Sequence, residues 1–119
     1  MTLSTPPLEG TVVVVQDEPG VARRLELALS QAGAAVFTTR TSQETASLMR
    51  RLQPRIVVMD SGVDPVGAVA IWAEARPDWP CSVIHYVGEG VEPVLGRKVP
   101  RTEPASTVVE TVGEIVLNE

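Results

Sequence analysis

Three carboxylates stand where they could do chemistry together. Asp60 ends the apolar run Ile56-Val57-Val58-Met59 and is followed by Ser61 and Gly62. Asp17 and Glu18 end a second run, Val12-Val13-Val14-Val15-Gln16. Unbroken apolar runs of this length suit strands buried on both faces. In an open parallel sheet, ligands sit just beyond the carboxyl ends of the strands. A carboxylate is costly to bury without a partner. Asp60 alone is therefore either a strand-end cap facing solvent or a working group in a crevice. If the two runs are neighbouring strands, Asp17, Glu18 and Asp60 fall in one small volume. Like charges that close call for a cation or a proton between them.

Elements to hold such a site can be read along the chain. Residues 1–10 carry two prolines and read as a flexible leader, with one domain over 11–119. Thr11 to Gln16 reads as the first strand. Pro19 then suits a first helical turn, where its missing N–H costs nothing. Val21, Leu25, Ala28, Leu29 and Ala32 keep helical spacing, and Gly33 fits the C′ stop. Ala34 to Thr39 reads as the second strand. Thr41 with Glu44 forms a capping box for a helix through Leu52 that turns Ala46, Met49 and Leu52 inward.

Ile56 to Met59 is the third strand. Val66, Val69, Ala70 and Ala73 make a helical stripe, with Trp72 and Trp79 covering its edge. Ser82 to Val87 is the fourth strand, with His85 a strand residue and Cys81 a small core residue before it. Gly88 to Arg97 holds too many breakers for a firm helix, which makes it the expected mobile segment. Lys98 to Thr102 is a short fifth strand, and Ser106 can cap a last helix facing Val108, Val112, Ile115 and Val116 inward. Strands alternating with helices imply a doubly wound, five-stranded parallel sheet of order 2-1-3-4-5. That order makes the first and third strands neighbours and brings Asp17, Glu18 and Asp60 together.

Composition narrows the rest. The 119 residues suffice for one domain, and 44% are hydrophobic but only 3% aromatic, so the core must be aliphatic. A net charge of -5 argues against nucleic-acid binding, which needs a basic face. The single cysteine rules out an internal disulfide, and nothing resembles a zinc ligand set. No apolar stretch reaches membrane-spanning length and no signal-peptide pattern opens the chain. A cytoplasmic protein is the expectation.

At this point the chain resembles a two-component receiver domain of the flavodoxin-like type. The resemblance rests on Gln16-Asp17-Glu18-Pro19 after the first strand, on Val57-Val58-Met59-Asp60, and on the Gly33 step into the second strand. Val83-Ile84-His85-Tyr86-Val87-Gly88 is similar to an alphaproteobacterial subgroup with a Phe-Ala-Thr-Gly-x-Tyr motif and a short or disordered fourth helix. The resemblance implies Asp60 as phosphoacceptor, with Asp17, Asp60 and the Gly62 carbonyl as weak ligands for Mg²⁺ and Glu18 as a nearby acid. It also implies a cis Glu103–Pro104 bond.

Departures from that pattern carry the functional expectation. Gln16 stands where an acid usually holds a metal-bound water. Val87 replaces the hydroxyl, and Glu103 the lysine, that would share a phosphoryl group's charge. An anion in place of a cation beside a phosphoryl group should cost about 2–5 kcal/mol. Lys98 and Arg101 are near enough in sequence to help instead. The expected function is a degenerate receiver that is not an enzyme and works by binding a histidine kinase, a phosphotransfer protein or another regulator. Arg23 and Arg24 on the first helix are the candidate contacts. The alternative is a receiver phosphorylated on Asp60. A haloacid-dehalogenase-type phosphatase needs a second Asp two residues after the nucleophile, and Gly62 stands there.

Overall fold

The computed structural model describes residues 6–60, 66, 67, 70, 71, 81–92 and 96–117. Among them are five strands: β1 (Val12–Gln16), β2 (Ala35–Thr39), β3 (Ile56–Met59), β4 (Ser82–Val87) and β5 (Arg97–Pro100). Three helices are α1 (Pro19–Gln31), α2 (Ser42–Leu52) and α3 (Ala105–Leu117). The strands form one parallel sheet in the order β2-β1-β3-β4-β5. β1 and β3 are therefore hydrogen-bonded neighbours, with Gln16 opposite Met59. Asp17 and Asp60 leave the sheet side by side.

Alternation along each strand divides the core in two. Val13, Val15, Ile56, Val58, Ile84, Tyr86 and Val99 face Leu25 and Leu29 of α1 and Val108, Val112 and Ile115 of α3. Val14, Val57, Met59 and Val83 face the other way, toward Met49 of α2, Ile71 and Cys81. The pleat thus fixes which neighbours the residues at the strand ends meet. Asp17 and Asp60 continue the α1 side. Gln16 continues the α2 side.

Local chemistry accounts for the helix ends. Thr41 Oγ1 accepts from the Glu44 N–H at 3.1 Å, as the capping box requires. Pro19 opens α1, and Gly33 lies just past it at φ 103°. A Cβ at Gly33 would stand 2.7 Å from Pro6 Cβ, so both its backbone angle and its neighbour demand glycine.

That contact corrects one expectation. Pro6–Gly10 is not a loose leader: Leu8 is fully buried, and its N–H donates to the Ala32 carbonyl at 2.8 Å. A leucine able to close the α1–β2 corner gains more from burial than it loses in chain freedom. Four further expectations shift. Within the stripe expected from Val66, Ile71 is buried while Val66 is 80% exposed. Val69 and Ala73, Trp72 and Trp79 lie outside the described residues. β5 begins at Arg97, one residue early, and Ser106 lies inside α3 rather than capping it. No peptide bond among the described residues is cis, so Glu103–Pro104 is trans. Of the segment expected to be mobile, 93–95 lies outside the described residues, and Gly88 to Glu92 carries no helix.

Candidate functional site

The site lies at the carboxyl ends of β1 and β3. A cleft of about 500 Å³ opens there, lined by Gln16, Asp17, Glu18, Pro19, Arg40, Thr41, Ser42 and Asp60. Asp17 is nearly withdrawn from solvent, with its side chain 2% exposed, whereas that of Asp60 is 23% exposed. The Asp60 N–H donates to the Gln16 carbonyl at 3.3 Å, which keeps the two strand ends in register. Glu18 stays outside this inner pair. Its N–H donates to Asp17 Oδ1 at 2.8 Å.

The charge between the acids comes from Arg101. Its Nη2 donates to Asp17 Oδ2 at 2.7 Å and to the Tyr86 carbonyl at 2.8 Å. The same nitrogen lies 3.2 Å from Asp60 Oδ2. Both carboxylates thus meet one guanidinium atom. Arg101 Cζ also sits over the Tyr86 ring, 5.1 Å from its centroid, a favourable arrangement for a cation on an aromatic face. The Tyr86 hydroxyl in turn donates to the Glu103 carbonyl at 2.5 Å. Arginine suits this place because its charge is permanent and its several N–H groups diverge in a plane.

Strand geometry explains why this residue arrives. The Arg101 N–H donates to the Val87 carbonyl at 2.8 Å, so the ladder continues one residue past β5. Arg101 lies two residues beyond Val99 and inherits its face, the side of Asp17 and Asp60. The chain then turns, with the Glu103 N–H donating to the Pro100 carbonyl at 2.9 Å. Glu103 is carried out of the sheet. Its carboxylate accepts from Thr107 Oγ1 at 3.3 Å, on the first turn of α3. Glu103 was expected to face Asp60, and the residue that does so is Arg101.

Gln16 is equally committed. Its Oε1 accepts from Thr45 Oγ1 at 2.7 Å, and its Nε2 donates to Ser42 Oγ at 3.2 Å. Thr45 is fully buried and shares a 2.6 Å hydrogen bond with Thr39 Oγ1. A carboxylate in place of Gln16 would lack the donor that reaches Ser42. Val87 is fully buried at the end of β4 and brings no hydroxyl. Arg23 and Arg24 are both exposed on α1, and Arg23 borders a second cleft with Glu26 and Arg40. Gly62 lies outside the described residues.

Burial pushes the Asp17 carboxyl above its ordinary range. The Arg101 hydrogen bond and the Glu18 N–H pull it down without cancelling that effect, and Asp60 adds to the rise. For Arg101, burial opposes the charge, but the bond to Asp17 and the charges of Asp17, Asp60 and Glu18 outweigh it, so its proton is held more tightly than usual. The two shifts agree on one picture: a desolvated carboxylate imperfectly compensated by one shared cation.

Two of the ligands expected for Mg²⁺, Asp17 and Asp60, already have a cation at hand. Mg²⁺ demands oxygen ligands at about 2.0–2.1 Å in an octahedron. Here Asp17 and Asp60 face the Arg101 guanidinium, and Gly62, the third expected ligand, lies outside the described residues. Tyr86, Thr45 and Arg101 form most of the site's contacts, and neither Tyr86 nor Thr45 was singled out from the sequence for them. The signal for Arg101 was the two-residue strand period counted from Val99. The signal for Thr45 was a polar residue at a core position of an amphipathic helix.

No protein-family model matches the chain, and no curated protein sequence matches it. Solved structures do. A response regulator receiver protein from Burkholderia phymatum matches with a TM-score of 0.73 at 16% identity, over 88% of this chain and 94% of that one. The signal receiver domain of a putative response regulator NarL from Mycobacterium tuberculosis matches with 0.71 at 18%, over 93% and 99%. The anti-anti-sigma factor PhyR from Bartonella quintana matches with 0.64 at 20%, over 90% of this chain and 47% of that one. At these identities the likeness is one of fold: the chain has the receiver fold.

Proposed function

We propose that this chain is a degenerate receiver domain of a two-component signalling system, not an enzyme, that acts by binding a histidine kinase, a phosphotransfer protein or another regulator. The observation that carries this reading is the Arg101 guanidinium held against Asp17 and Asp60. A phosphoryl group on Asp60 brings close to two negative charges and three acceptor oxygens. Val87 offers it no hydrogen bond, Glu103 faces away, and Gln16 is spent on Ser42 and Thr45. Arg101 would have to be shared between that group and the desolvated Asp17. The exposed pair Arg23 and Arg24 on α1 is the proposed partner contact, and a cytoplasmic location suits such a partner. Among the described residues no helix is long and apolar enough to cross a membrane.

A second reading has its own support. Asp60 borders the open cleft and is partly exposed, so a small phosphodonor can approach it. Incubation with acetyl phosphate and Mg²⁺, followed by intact mass, separates the two. The degenerate reading expects no phosphorylated species beyond that seen with Asp60→Asn. Stoichiometric labelling lost in Asp60→Asn would establish the phosphorylatable reading instead.

A further inference from the structure

We infer that the outer edge of β2 is a self-association surface, on which a second copy of this chain adds its own β2 antiparallel and joins the two sheets into one. The inference does not rest on the signalling reading, and a chain that stays monomeric leaves that reading as it stands.

The two edges of the sheet are built differently. β2 and β5 are its outermost strands. β5 reads Arg97-Lys98-Val99-Pro100, and charge and proline are what keep an edge from pairing with another chain. Its two cations are also tied down, Arg97 to Glu114 and Lys98 to Glu92, each at 2.9 Å. β2 reads Ala35-Val36-Phe37-Thr38-Thr39, with neither a charge nor a proline. It carries the only phenylalanine of the chain, and that side chain is 40% exposed. Among the described residues, no other segment pairs with the outer side of this strand.

Backbone direction fixes how the copy docks. The Ala35 N–H donates to the Thr11 carbonyl at 2.9 Å, and the Thr39 carbonyl accepts from the Asp17 N–H at 3.4 Å. Residues 35, 37 and 39 therefore turn their peptide groups toward β1, and Val36 and Thr38 turn theirs outward. A two-fold axis at Phe37 places Val36 opposite the partner's Thr38, and Thr38 opposite the partner's Val36. Each such pair exchanges two backbone hydrogen bonds, so four form without disturbing β1. Phe37 meets the partner's Phe37 across the axis, at a non-hydrogen-bonded position where side chains stand closest. Moving the axis to Val36 would call on the Ala34 N–H, which already donates to the Leu29 carbonyl at 3.1 Å.

Charge agrees with this register. Arg40, exposed just past β2, falls opposite the partner's Ala34. Beside Ala34 is Gly33, and a Cβ there would stand 3.0 Å from the Glu9 backbone nitrogen. Glu9 is exposed and so lies next to the position that Arg40 of the other copy reaches. The two-fold axis repeats that attraction, and pairing of identical edges closes at two copies.

The test is sedimentation velocity of the wild-type chain over rising concentration, at physiological salt so that the net charge of -5 on each copy is screened. A single strand pair belongs among weak, transient interfaces, and a monomer–dimer equilibrium is expected. Thr38→Pro removes an outward N–H, a change that an edge strand tolerates. It deletes two of the four bonds and should weaken the dimer about ten-fold or more. Phe37→Lys sets like charges opposite each other and should weaken it too. Arg40→Glu should do the same, and adding Glu9→Arg should restore association. A chain monomeric at every concentration, a dimer indifferent to Thr38→Pro and Phe37→Lys, a swapped charge pair no better than Arg40→Glu alone, or growth beyond two copies overturns the inference. A measurement on the wild type guards against variants that fail to fold. Exchange of the Val36 and Thr38 amide hydrogens should slow as concentration rises, while the Phe37 amide, turned toward β1, keeps its rate. Val36 and Thr38 rates that do not change with concentration overturn it as well.

Discussion

Replacing Arg101 by Gln should destabilise the fold far more than replacing an exposed arginine. Asp17 accepts two short hydrogen bonds, one from the Glu18 N–H at 2.8 Å and one from Arg101 at 2.7 Å. Losing the second removes a charge-assisted bond worth about 1.5–3 kcal/mol net. It also strips the Tyr86 carbonyl of a donor and exposes Asp17 and Asp60 to each other. Breaking a fully buried pair costs about 3–5 kcal/mol. Arg101 is 26% exposed, so solvent screening lowers the expected loss to about 2–4 kcal/mol. Against a typical total of about 5–15 kcal/mol, that is a large fraction. The assay is urea unfolding followed by circular dichroism, with the slope checked for constancy. Arg97→Gln is the control. Its partner is Glu114 at 2.9 Å, but the two side chains are 49% and 59% exposed, and such pairs contribute about 1 kcal/mol at most. If Arg101→Gln costs no more than Arg97→Gln, the guanidinium does not hold the acid cluster together and the reasoning fails.

Four other outcomes are expected. Burial holds the folded-state Asp17 carboxyl above its ordinary 3.8, so the stability associated with its proton is complete below that pH and is lost as pH rises through the folded value. Asp17→Asn should therefore gain on wild type across that window, and an unchanged difference in stability between the two from acid to neutral pH would contradict the shift. Thr45→Val should cost about 1–3 kcal/mol in the same urea assay, because the Gln16 carboxamide and Thr39 hydroxyl lose a buried partner, whereas Thr45→Ser should recover most of it. Cys81, its thiol pushed up to about 12 by burial, should resist iodoacetamide at mildly alkaline pH until urea opens the fold; prompt labelling of the native chain would show the site to be open. Glu103→Lys should leave acetyl-phosphate labelling of Asp60 unchanged, since residue 103 faces Thr107, and increased labelling would place that side chain at the site after all.

Sequence alone determined most of the frame. Apolar runs at residues 12–15 and 56–59, and the mostly apolar stretch 82–87, are legible because a strand buried on both faces carries mainly apolar residues. The sheet order follows from alternating elements and right-handed crossovers, and that order sets Asp17 beside Asp60. The Thr41–Glu44 cap and the Gly33 stop are legible because each is a local interaction within a few residues. Leu8 was not legible: a leucine among prolines shows no periodicity, and only the finished α1–β2 corner offers it a place. Arg101 was undecided for a different reason. A strand's exit is set by where the ladder stops, and one more hydrogen bond to Val87 keeps Arg101 on the sheet and sends Glu103 to α3. Counting from Val99 gives Arg101 its face, but not the bond to β4 that carries the ladder that far. The same holds for Gln16, whose partners stand on a helix packed across the sheet. Periodicity and local chemistry therefore decided where the acids are, and contacts between distant segments decided which cation and which hydroxyls meet them.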